Sequence, residues 1–131
     1  MIHPSMFLRR ALLADAIFSG VSALLLTFGA GYLATLLNLP ETLLRETGLF
    51  LIAYAAFVGI LGSRAAMPKA LVLLVIAGNA AWTLASVALL LSGIVSPNLL
   101  GEAAVVMQAI MVGVFAELQF IGLRRGAAAV A

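Results

Sequence analysis

Four stretches of about 20 predominantly apolar residues, the length a helix needs to cross the hydrocarbon of a bilayer, constrain this chain more than any other feature. They fall at residues 11–33, 44–63, 70–93 and 99–123. Between them, Asn38-Leu39-Pro40, Pro68-Lys69 and Ser92-Gly93 through Pro97-Asn98 combine turn formers with a loss of apolar periodicity. Linkers this short make sequential spans antiparallel neighbours. The expected fold is therefore all-α: one domain, an up-down bundle of four transmembrane helices. The second stretch is the least regular, uninterrupted only from Gly48 to Leu61. Its helix should start nearer Pro40-Glu41, where proline suits a first turn and a carboxylate complements the helix dipole. It should also be short or tilted.

Charge supports the same class. Only 9% of the residues are charged, against roughly a quarter in soluble domains, too few to dress a water-facing surface. Arg9, Arg10, Arg64, Lys69, Arg124 and Arg125 all fall on one side of the four spans, and Arg45 alone on the other. Basic residues mark the cytoplasmic side, so both termini and the middle loop are expected inside, in an inner membrane of the bacterial type. The basic residues sit as juxtamembrane groups rather than along one face, which argues against nucleic acid and for lipid headgroups as their neighbours. The first stretch is too long for the 7–15-residue core of a cleaved signal and is interrupted by Asp15, so it reads as a retained span.

Several chemistries are excluded. Without cysteine there are no disulfides, thiolate metal sites or iron–sulfur ligands. The one histidine, His3, lies on the N-terminal tail, so paired-histidine haem ligation is closed as well. No phosphate-binding loop, HExxH, GxSxG or kinase motif occurs. Tyr32 and Tyr54 have no visible acid–base company in the sequence. No enzyme, metal or cofactor is expected.

The informative residues are the polar ones inside the spans, where ionisable groups are costly and are functional candidates by default. Asp15 and Glu117 stand out, each in the cytoplasmic half; Glu102 sits at the outer mouth of the fourth span. At 100° per residue, Asp15, Ser19 and Ser22 share one face of the first helix. Asp15 reads either as a structural ion pair, with Arg64 or Lys69 as its partner, or as a titrating group. If Asp15 and Glu117 both faced inward, their like charges would oppose joint ionisation, and the pair would hold a proton. The third span carries Asn79, Thr83 and Ser86 as a stripe. Asn79 reads as interhelical glue, or as a polar contact at the midplane. Trp82, the single tryptophan, falls near mid-span, as a core filler or a stacking surface for a ligand.

On the fourth helix Gln108 and Gln119 share a face, with Glu117 about 180° from Gln108. Gly20, Thr27 and Gly31 oppose Asp15, and Ala81, Ala85 and Ala88 oppose Asn79. Small residues let helices approach closely, so two packable faces per helix suggest a homo-oligomer or another membrane protein as partner. The expected function is a non-enzymatic interaction or accessory subunit. The alternative is a small proton-linked transporter or channel using Asp15 and Glu117. Asn79, Trp82 and Gln108 complete the candidate binding residues.

Overall fold

The computed structural model describes residues 1–130, and the side chains of residues 1–126. The described residues are all-α, with five helices rather than four. Helix α1 (Met6–Phe28) starts behind Ser5, whose hydroxyl accepts from the Leu8 backbone N–H at 3.1 Å, satisfying an otherwise unpaired donor of the first turn. The first apolar stretch does not continue as one helix. It breaks at Gly29, where a Cβ would lie 2.7 Å from the Leu25 carbonyl oxygen. Only glycine tolerates that geometry, and a separate short helix α2 (Ala30–Leu37) follows. Asn38 ends α2 in the left-handed region, with φ 55°, a conformation asparagine adopts more readily than most residues.

Helix α3 (Glu41–Ser63) begins immediately after Pro40 with Glu41 in its first turn, as the Pro-Glu signal predicts. It is not short: at 23 residues it equals α1. Its early charges are accommodated by an i,i+4 ion pair between the exposed Glu41 and Arg45. Helix α4 (Lys69–Ser92) follows Pro68 and stops at Gly93, φ 76°. Helix α5 (Leu99–Val130) runs past the expected end at residue 123. Met6–Phe28, Glu41–Ser63, Lys69–Ser92 and Leu99–Gly126 are each long and apolar enough to span a membrane, which marks a multi-pass membrane protein.

The helices pack as two pairs, α1 with α3 and α4 with α5, joined mainly along α1 and α5. The α1–α3 contact is built from small residues. A Cβ on Gly62 would lie 3.0 Å from the Leu12 Cβ, one on Gly59 3.6 Å from that of Ala16, and one on Gly20 3.8 Å from that of Ala55. At Gly48 it would fall 2.6 Å from the Thr27 backbone nitrogen. Lipid is as apolar as leucine, so such close approach, not hydrophobic burial, is what holds spans together. Gly20 and Thr27 therefore serve α3 of the same chain, which corrects their reading as a face for a partner.

Apolar cores close both ends. At the end carrying most of the basic residues, Leu8, Leu12, Leu61, Met67 and Leu123 are buried together. The N-terminal segment ties in through paired backbone bonds between Ile2 and Met67, at 2.8 and 2.9 Å. At the other end Ala30, Leu37, Leu39, Leu44 and Val95 form a second core. There the Asn38 side chain donates to the Ser96 carbonyl at 2.6 Å and that of Asn98 to Leu36 at 2.8 Å, lacing the two connections together.

Candidate functional site

Between the two cores lies a polar cluster drawing on all four long helices. Asp15 of α1 is 1% exposed, Asn79 of α4 4% and Gln119 of α5 0%; Tyr54 of α3 is half-buried. The Ser19 hydroxyl, one turn along α1, donates to Asp15 Oδ1 at 3.0 Å. Asp15 Oδ2 is met by the Tyr54 hydroxyl at 2.7 Å, Asn79 Nδ2 at 2.9 Å and Gln119 Nε2 at 2.8 Å. Asn79 Nδ2 also donates to Gln119 Oε1 at 3.0 Å, and the Tyr54 hydroxyl lies 2.8 Å from Asn79 Oδ1. A buried polar group is costly unless paired; here each member is paired by the others.

A proton count shows how this cluster is wired. Six contacts link its five side chains. A hydroxyl has one proton and an amide nitrogen two. Ser19 and Tyr54 direct one each into the contacts, Asn79 two and Gln119 one. Tyr54 cannot donate to Asp15 and Asn79 at once. Its single proton therefore serves either the Asp15 or the Asn79 oxygen, both within hydrogen-bond range, and couples the two.

Asp15 is not ion-paired: the one salt bridge among the described residues is Glu41–Arg45. Arg64 caps the C-terminus of α3, Lys69 opens α4, and both side chains are exposed. The buried layer of Leu8, Leu12, Leu61, Met67 and Leu123 occupies that end of the molecule, so the cation-paired reading of Asp15 does not hold. Glu117 does not join Asp15 either. It is exposed, whereas Gln119 is buried; two residues on a helix are turned about 200° apart. With Gln119 inward, Glu117 must point out, and the inward carboxyl dyad is absent.

A second polar contact lies farther from the basic end. Trp82 Nε1 donates to Gln108 Oε1 at 2.9 Å, and Gln108 Nε2 donates to Ser86 Oγ at 2.9 Å. Thr83, between them on α4, reaches the Ala109 carbonyl at 3.2 Å. Trp82 is thus fixed by its own α4–α5 pair, and its ring faces α3. There it stacks on Phe50, centroids 5.9 Å apart and planes within 9°, and Phe50 in turn lies 6.4 Å from the Tyr54 ring.

The two helix pairs leave a cavity of about 670 Å³ between them. Its wall is mostly leucine, valine and phenylalanine, with Ser19, Tyr54, Asn79, Trp82 and Gln108 as polar points. Phe50, Ala53 and Phe57 of α3 and Leu74 and Gly78 of α4 line it while remaining exposed, and the α3 and α4 backbones make no extended contact, the helices meeting through long side chains such as Phe50–Trp82 and Tyr54–Asn79. The cavity therefore opens sideways between these helices. Of the residues singled out in the sequence, Asp15, Asn79, Trp82 and Gln108 belong to this region and Glu117, Arg64 and Lys69 do not. Tyr54 and Phe50 were not legible as site residues, because each is defined by what it meets on other helices. Gln119 was legible as the companion of Gln108 on one face, without indication of its target. No protein-family model, curated protein or solved structure matches this chain.

Proposed function

We propose that this chain is an inner-membrane protein with both termini inside that binds an apolar or amphipathic, lipid-like molecule drawn from the bilayer. Its four spans alternate in direction as an up-down bundle. The observation that carries the reading is the 670 Å³ cavity between the helix pairs, a volume within the roughly 300–1,000 Å³ of small-molecule sites. Apolar cores lie at both ends of the helices, while exposed lining residues of α3 and α4 flank its side. A ligand entering there comes from the lipid phase. One polar end suits it best, since the hydroxyls and amides of Ser19, Tyr54, Asn79 and Gln108 stand among apolar walls. Among the described residues its lining is apolar side chains with neutral hydroxyls and amides, which suits holding a molecule. The burial of Asp15 and the exposure of Glu117 favour this reading over proton-linked transport through the two carboxyls.

Gly78 supplies the test. A Cβ there meets nothing within 4 Å, so Gly78→Phe places a ring in the cavity without moving backbone. Wild-type protein reconstituted in total membrane lipid, then stripped in mild detergent, should retain one lipid-like molecule by native mass spectrometry. Gly78→Phe should retain none while unfolding at the same detergent concentration. Equal retention by both, or none by wild type, would overturn the proposal.

A further inference from the structure

Glu117 presents a different problem, independent of the cavity. It is exposed on α5 within the apolar segment Leu99–Gly126, about 10 Å of helix rise from Arg124. Its neighbours on the same stripe, Val106, Ile110, Val114 and Ile121, are apolar and exposed, so the carboxylate stands in a face otherwise suited to hydrocarbon. A charged group at that depth is expensive and is ordinarily neutralised by a partner. Among the described residues no cation pairs with it. The nearest guanidinium along the helix, Arg124, lies over the Phe120 ring at 5.6 Å, and Arg125 over Phe7 at 5.3 Å.

We propose that the α5 face around Glu117 docks a transmembrane helix of a different membrane protein, one that brings a lysine or arginine to the same depth. Charge complementarity selects this occupant over a second copy. Every Lys and Arg of this chain lies toward an end of the bundle rather than at the level of Glu117: Arg9, Arg10, Arg64, Lys69, Arg124 and Arg125 toward one end, Arg45 toward the other. A second copy in the same orientation offers Glu117 another carboxylate or an apolar side chain at its own level. The apolar residues above and below Glu117 give the incoming helix a surface to pack on, and the buried ion pair fixes its register.

The test uses a synthetic polyleucine transmembrane peptide with a single lysine at matching depth, and an all-leucine control, in phosphatidylcholine vesicles. The chain has no cysteine, so Leu99→Cys provides one labelling site for energy transfer to either peptide. The lysine peptide should bind about tenfold tighter than the control, the scale of one interhelical polar contact in a bilayer. Glu117→Gln should abolish that preference, and Glu102→Gln should preserve it. Equal binding of both peptides, or a preference that survives Glu117→Gln, overturns the proposal. So does a wild-type dimer that Glu117→Gln dissolves in the absence of any peptide preference, which would make the occupant a second copy.

Discussion

Asn79→Ala is the perturbation that most directly probes the polar cluster, because Asn79 touches three of its other members. Truncation removes its contacts with Asp15, Gln119 and Tyr54, at 2.9, 3.0 and 2.8 Å, at a position 4% exposed. Interhelical hydrogen bonds in bilayers average about 0.6 kcal/mol and reach about 1.7. Three of them, plus the space vacated, give an expected loss of about 2–4 kcal/mol. Reversible unfolding in mixed micelles of increasing denaturing detergent would measure it. Trp82 is the natural probe, since it is the single tryptophan and its ring stacks across to α3 on Phe50. Asn79→Leu separates volume from hydrogen bonding: it refills the space but leaves Asp15 and Gln119 short of a donor, so it should remain destabilised. A loss below about 0.5 kcal/mol, the range of surface substitutions, or full recovery in Asn79→Leu, would refute the idea that these bonds tie the helix pairs together.

Two further outcomes are expected. Gly48→Ala places a Cβ 2.5 Å from Thr27 Oγ1 and 2.6 Å from its backbone nitrogen, so it should cost about 1–3 kcal/mol by overpacking in the same unfolding assay, whereas Gly78→Ala, facing open space, should cost nothing. Reporter fusions after Gly62 and after Val130 should both report cytoplasm, and those near Leu39 and Pro97 the opposite side; a C-terminal reporter outside would reverse the orientation drawn from the arginines.

The sequence alone determined the class of protein and the helical positions of its polar residues. Apolar length sets where spans fall, and the 100° step sets which side chains share a face. Helical spacing by itself therefore groups Gln108 with Gln119 and sets Glu117 opposite Gln108. Gly29, a small residue inside a continuous apolar stretch, shows the limit even locally: its break leaves no room for a side chain, since a Cβ there would fall 2.7 Å from the Leu25 carbonyl oxygen, which apolar periodicity does not register. What only the tertiary structure decided is which faces meet. Tyr54 lacks acid–base company along α3, yet its hydroxyl sits 2.7 Å from an Asp15 oxygen supplied by α1. Gly20 has the spacing of a face free for a partner, but α3 of the same chain occupies it. The cavity likewise belongs to no helix. It exists because α3 packs on α1 and α4 on α5, leaving α3 and α4 bridged only by long side chains. Periodicity describes each helix about its own axis, whereas pairing, depth and rotation between helices are set by contacts among residues as far apart in sequence as Asp15 and Gln119.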